Sequence, residues 1–509
     1  MKRYGILAGL ACAVLAGAAV WLGGLNQDEG WYLYAAQMVG EGKTLYRDFF
    51  YTQGPLMPIL YAPMAWVWHD GGLLGARLAT CCIGLAGMVF AAALARLVAP
   101  PGRKGAAGVA AFALLGCNLY HVYYTSIPKT YALAALFVLM GHYLLFLALA
   151  DFGARFRRLL LFVAGLSLAF AAGTRISLGV LLAVCGFALL FAFRRFGWSF
   201  VWFGLGGLTG LAAVYGPFLV DPDARSGLVA AQAYHAARGG FDVVFTVGSV
   251  SRLVRWYLPV AVLLGLAFCC RRALVPEGTD GRPRFARLLM GIGFLAVFGV
   301  QMLAPFPYED YQVPVMGLLA VLAAVYAVRL GENPARSVLL ALGMTCACSF
   351  GSPLLQKWMT NGQDRFWSLK KPKSELAQLQ DMARVIECLD PGGKELFTQD
   401  LYLAVETGRK VPAGLEMGPF SMLSDAEWVK LISSAPCPVA AMSGYSFAID
   451  PPRCTERPLA DQMRYWNLLK EKYDKVYSEP DFGQNATTLL VLARKPAADG
   501  ASGAAKETK

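Results

Sequence analysis

The feature that most constrains this chain is a succession of apolar runs, each close to the ~20 residues a helix needs to cross a bilayer. They fall at roughly 4–25, 73–98, 105–121, 128–150, 159–174, 177–193, 198–220, 256–270, 288–304, 312–330 and 337–355, with ends placed to about four residues. Lipid cannot satisfy stray backbone groups, so such runs form helices or a closed barrel, and their length selects helices. Several of the eleven are short, which predicts broken or tilted helices. Composition agrees, because 57% of the 509 residues are hydrophobic and only 16% are charged, too few to coat a soluble protein of this length. The expected fold class is mainly α, a polytopic helical membrane protein with a small α/β domain at its C-terminal end.

Charges alternate between the runs. One set of termini and loops holds seventeen basic residues, among them Lys2, Arg3, Arg103, Lys104, Arg157, Arg158, Arg194 and Arg195, against nine on the opposite side before the last run. The excess of cations in cytoplasmic loops then places the N-terminus in the cytoplasm and the C-terminal domain outside, as expected for a bacterial inner (plasma) membrane protein. The net charge of +12 is accounted for by this topology and by anionic headgroups, with no nucleic acid required. At the N-terminus, Lys2-Arg3 and Ala16-Gly17-Ala18 also fit a cleavable signal. The uncharged stretch from Tyr4 to Gln27 is longer than a signal core, which favours a retained first span.

After Pro353 the character changes. Residues from about 357 onward hold twenty of the thirty-four acidic residues and no spanning run. Ser374–Cys388 and Leu459–Tyr473 have helical spacing, whereas Glu395–Gln399, Cys437–Ser443 and Thr487–Ala493 read as strands. The expected domains are a membrane domain over 1–356, with an outer loop at about 26–54, an extracytoplasmic α/β domain over 357–495, and a disordered tail over 496–509. The twelve cysteines lack metal-ligand spacing, and of Cys388, Cys437 and Cys454 in the outer domain only two can pair. The four histidines form no zinc pattern, and no glycine-rich phosphate loop follows a strand.

Ten of the fourteen carboxylates of the membrane half fall on the outer side. For Asp70, Asp221, Asp223 and Glu41 a wet polar loop is explanation enough. Asp28-Glu29 differs, because it follows the first span within a few residues and leads into Trp31-Tyr32-Leu33-Tyr34. Adjacent carboxylates in a partly desolvated pocket repel each other, which favours a raised proton affinity in one, suited to a general base. The bland alternative is a helix capped by Asp28, which is compatible with catalysis.

These residues carry a resemblance. Asn26-Gln27-Asp28-Glu29-Gly30-Trp31-Tyr32, then Gly42-Lys43-Thr44-Leu45-Tyr46-Arg47-Asp48, then Gly54-Pro55-Leu56 resembles the first outer loop of the GT-C glycosyltransferases. The likeness is to the protein O-mannosyltransferase and lipid A aminoarabinose transferase branch and its bacterial relatives. It continues through Pro128-Lys129-Thr130-Tyr131, Thr174-Arg175 and Tyr308-Glu309-Asp310-Tyr311. The resemblance implies an enzyme that moves a sugar from a polyisoprenyl-phosphate carrier to a lipid, glycan or protein acceptor at the extracytoplasmic face, with inversion. It implies Asp28 as the base that deprotonates the acceptor hydroxyl, with Glu29 orienting the acceptor or tuning Asp28. A lipid phosphate leaves already charged, so it needs cations more than a general acid. Arg175 and Lys129 are the expected phosphate ligands, a guanidinium being able to grip phosphate through two parallel bonds. The alternative for each is snorkelling to the headgroups.

Arg47, Asp48, Tyr308, Glu309, Asp310 and Tyr311 are the expected substrate-binding residues, with carboxylates for hydroxyls and rings for the apolar face of a sugar. An interfacial aromatic belt explains the same tyrosines. Tyr234, His235, Arg238, Arg252 and Arg255 belong to a loop that could shape the acceptor site. No cofactor is implied with certainty. A divalent cation stays open, since some enzymes of the superfamily need one while the resembled branch is generally metal-independent. The competing class is a transporter or flippase, which would set charges mid-span and repeat its halves; neither pattern is present in the sequence. A structural scaffold would leave the Asp28 loop unexplained.

Overall fold

A computed structural model describes residues 1–150, 154–237, 240–274, 281–351, 373–421, 423–444 and 459–496. Arg238, Cys454, the segment 352–372 that contains the expected domain boundary, and the tail from 497 lie outside the described residues. Contacts divide the chain into two compact units, Met1–Gly24 with Ala35–Leu376 and Leu25–Tyr34 with Ala377–Lys509.

The first unit is a multi-pass membrane bundle. Seven helices among the described residues are long and apolar enough to span, and two helix pairs bent by 71° and 85° qualify as broken spans. Each run predicted from the sequence falls on one of these or on the shorter apolar helices Ile176–Phe191 and Pro334–Phe350. We label the helices used below α1 (Lys2–Leu22), α2 (Gln27–Gly40), α3 (Thr130–Leu149), α4 (Ala154–Thr174), α5 (Ser199–Val220), α6 (Val243–Trp256) and α7 (Val313–Ala327). Nearly all of α7 is buried, which explains why it is apolar on every face.

Backbone groups freed at helix ends find partners inside the protein, as the absence of water requires. The buried Arg77 donates to the carbonyls of Val20, Gly23 and Gly24 at 3.2, 3.0 and 3.1 Å, closing the end of α1. At the 71° break, Asn118 accepts from the His121 amide at 3.0 Å and donates to the Trp256 carbonyl, at the end of α6, at 2.9 Å. The helices α4 and α5 touch backbone to backbone, since a Cβ at Gly206 would lie 1.9 Å from the Phe162 carbonyl oxygen.

The second unit is built on a four-stranded sheet of β1 (Phe397–Thr398), β2 (Val439–Ser443), β3 (Tyr473–Phe482) and β4 (Thr487–Arg494) in the order β1-β2-β4-β3. β1 pairs parallel with β2, and the other pairs are antiparallel. The central β4 is mostly apolar and buried, while the edge strand β3 is mostly exposed and carries Pro480. The short helix α8 (Leu401–Thr407) follows β1. Residues 25–34, which the sequence reading placed with the membrane domain, cluster with this unit.

Candidate functional site

The Asp28 segment is the first turn of α2. Asn26, rather than Asp28, caps it: Asn26 Oδ1 accepts from the Asp28 amide at 3.1 Å, and its carbonyl accepts from the Glu29 amide at 2.9 Å. Glu29 reaches back to accept from the Asn26 amide at 2.8 Å, so the third helical residue in turn holds the cap. The bland alternative of a cap by Asp28 gives way to Asn26, because a cap must precede the helix while Asp28 already lies within it. Successive helical residues point about 100° apart, so the two carboxylates take different partners. Glu29 is fully buried, whereas Asp28 is half-buried and accepts from the Trp31 indole at 3.3 Å.

In the membrane unit, four sequence-predicted residues come together at helix ends. Lys129 stands immediately before α3, Arg175 immediately after α4, and Asp310 and Tyr311 in the 3-10 turn that leads into α7. Lys129 Nζ lies 3.4 Å from Asp310 Oδ2, and the Tyr131 hydroxyl donates to the same oxygen at 2.9 Å. Arg175 Nη1 donates to Thr130 Oγ1 at 3.1 Å, and the guanidinium lies 4.9 and 4.7 Å from the ring centres of Tyr131 and Tyr311. The Lys129 ammonium is 5.6 and 4.9 Å from the rings of Tyr124 and Tyr131.

Lys129 is 4% exposed and Arg175 9%. A snorkelling cation extends out of the protein toward headgroups, so burial inside the bundle sets that alternative aside. Burying two cations is costly, and the Asp310 carboxylate and the ring faces offset part of that cost. Arg175 and Tyr311 also line a cavity of ≈ 330 Å³ with Thr52, Gln53, Gln232 and Gln301. A buried guanidinium on the cavity wall, with the Lys129 ammonium on the same Tyr131 ring, forms an arrangement suited to an anion.

The remaining expected residues are held in other ways. Arg47 and Asp48 pair at 3.0 Å in an exposed turn, and Arg47 reaches Asp221 at 3.3 Å. The Arg47 guanidinium, and then the Thr44 amide, hold the Asp48 carboxyl below its usual range. Asp221 is likewise lowered, first by the Ala224 amide, which it caps with the Asp223 amide. These partners give Arg47 and Asp48 a structural task in the turn. Glu309 pairs with Arg252 of α6 at 3.0 Å, and Tyr308 packs against Phe245 with ring centres 5.3 Å apart. Sequence reasoning quoted Thr130 and Tyr131 without assigning them a role, and it missed Tyr124 and Gln301, which no local pattern marks. Among the described residues, no group of three or more His, Cys, Asp or Glu side chains is placed to hold a metal ion.

No family model and no curated protein sequence matches the chain. Solved structures do. ArnT from Cupriavidus metallidurans bound to undecaprenyl phosphate superposes with a TM-score of 0.64 at 15% identity, covering 99% of this chain and all of that one. The same protein in its apo state gives 0.62 at 14% identity over 96% and 98% of the two chains. The arabinofuranosyltransferase AftD from Mycobacteria gives 0.50 at 12% identity, over 97% of this chain but 40% of its own length. The chain therefore has the GT-C fold.

Proposed function

We propose that this protein is an integral membrane glycosyltransferase that moves a sugar from a polyisoprenyl-phosphate carrier to a lipid, glycan or protein acceptor. In this reading the protein sits in a bacterial inner membrane, with its N-terminus cytoplasmic and its α/β domain and reaction outside. The observation that carries the reading is the buried Arg175 on the wall of a cavity, with the buried Lys129 on the same Tyr131 ring, in a fold that ArnT uses while bound to undecaprenyl phosphate.

The chemistry follows from the charges. Displacing a lipid phosphate from the anomeric carbon leaves negative charge on phosphate oxygens, and fixed cations stabilise that charge without proton transfer. Arg175 would grip two oxygens, with its plane held by the Tyr131 and Tyr311 rings, and Lys129 would supply a point charge positioned by Asp310. Asp28 would accept the proton of the attacking hydroxyl, so that attack opposite the leaving phosphate inverts the anomeric centre. Asn26 caps α2 and Glu29 fixes the helix start, so capping is not the task of Asp28. A divalent cation could join at the outer carboxylates, and Arg47, Asp48, Tyr308 and Glu309 could border the substrates.

The test is Asp28→Asn in membranes supplied with undecaprenyl-phosphate-linked sugars. Loss of an essential base should slow transfer by about 10²- to 10⁴-fold at normal expression. Undiminished transfer would sink the assignment.

A further inference from the structure

We infer that the C-terminal α/β domain contributes positioning residues for Asp28, with Gln484 the one that can be tested most cleanly. This rests on the reading of Asp28 as the base. The first backbone amide of a helix has no partner within the helix. In α2 that amide belongs to Gln27, adjacent to Asp28, and it donates to Gln484 Oε1 at 2.8 Å across 457 residues of sequence. Gln484 sits in the loop joining β3 to β4, entered through Gly483 in a left-handed conformation (φ +69°).

Two further contacts tie the same turns to the same domain. A Cβ built on Gly30 would lie 2.2 Å from the Tyr402 nitrogen and 2.7 Å from the Leu401 carbonyl carbon, so the backbones of α2 and α8 touch. One turn later, the buried Tyr34 hydroxyl accepts from the Val411 amide at 3.0 Å. The receiving surface is itself fixed. Asp400 Oδ1 accepts from the Tyr402 hydroxyl and the Ser443 hydroxyl, both at 3.1 Å, and the Tyr402 ring packs on Phe482 with centres 5.9 Å apart. Asp28 thus lies between an amide held by Gln484 on one side and a glycine pressed on α8 on the other. Its place in space is set by residues from about 370 positions further along the chain, as a general base demands of its support.

The experiment uses the full-length protein in nanodiscs and follows amide hydrogen exchange over residues 26–34, undecaprenyl phosphate binding, and steady-state sugar transfer. Gln484→Ala removes the acceptor, Gln484→Glu keeps it, and Gly30→Ala pushes the backbones apart. For Gln484→Ala we expect exchange at least about 10-fold faster at residues 27–30 and kcat about 10- to 100-fold lower, with KM for the donor and undecaprenyl phosphate binding within about 2-fold of wild type. Gln484→Glu should restore both exchange and kcat, which a merely structural lesion would not. If Gly30→Ala does not fold, the Gln484 pair decides alone. Wild-type exchange in Gln484→Ala, or wild-type kcat despite faster exchange, overturns the inference. Undiminished transfer by Asp28→Asn would instead overturn the base assignment while leaving the exchange result to judge the docking, so the two failures are distinguishable.

Discussion

Asp400 shows how one residue carries a measurable signature. It is 2% exposed, and burial pushes its carboxyl from the usual range up to about 6, against the lowering effect of Ser443 and Tyr402. The sign follows from proton counting. Between the ordinary value near 3.8 and about 6, the folded state holds the proton more tightly than the unfolded chain, so stability falls as pH rises through that window. The expected loss from Asp400 is about 2 kcal/mol between pH 4 and pH 7. Thermal unfolding of wild type and Asp400→Asn at the two pH values checks it. The variant should gain on wild type at pH 7 relative to pH 4, and an equal difference at both would contradict the assignment. At this scale the sequence was informative about identity and poor about partnership. Lys129, Arg175, Asp310 and Tyr311 could each be marked from position near a span end, but only folding shows that they meet. The Asn26-to-Glu29 capping spacing was legible at sequence level and was passed over for the acidic pair inside it.

At the scale of elements, the spans were readable because ~20 apolar residues have one stable answer in lipid. Of the short runs, 105–121 and 256–270 fall on bent pairs, with residues such as Asn118 satisfying a break, and 177–193 on a short helix, whereas 159–174 and 288–304 belong to unbroken helices long enough to span. In the α/β domain, the helices Glu375–Leu389 and Leu459–Lys472 and the strands β2 and β4 fall where periodicity placed them. β3 was missed because an edge strand facing water has few apolar residues to show, and its Pro480 argues against a strand. α8 was missed because seven residues are too few to display a period. Close helix packing gives the prediction proper to this scale. Gly206→Val would force α4 and α5 apart, since even a Cβ overlaps the Phe162 carbonyl. Unfolding in detergent should show a loss of about 3 kcal/mol, and retained stability would mean that the helices part without cost.

The whole molecule joins a polytopic bundle to a small α/β domain, and the division between units does not follow the sequence order: residues 25–34 count with the C-terminal part. That placement was not legible, because nothing in Leu25–Tyr34 announces a partner beyond residue 377. The fold class was legible, since hydropathy and charge asymmetry act over the entire chain, and the GT-C fold agrees with it. The proposed chemical task falls to two buried cations, Lys129 and Arg175. Its most direct test is undecaprenyl phosphate binding to the purified full-length protein, wild type against Arg175→Ala, by native mass spectrometry in parallel with a neutral undecaprenyl alcohol. The account predicts that wild type prefers the phosphate and that Arg175→Ala weakens phosphate binding by about 10- to 100-fold while leaving the alcohol unchanged. Equal binding of the phosphate by both proteins would contradict it.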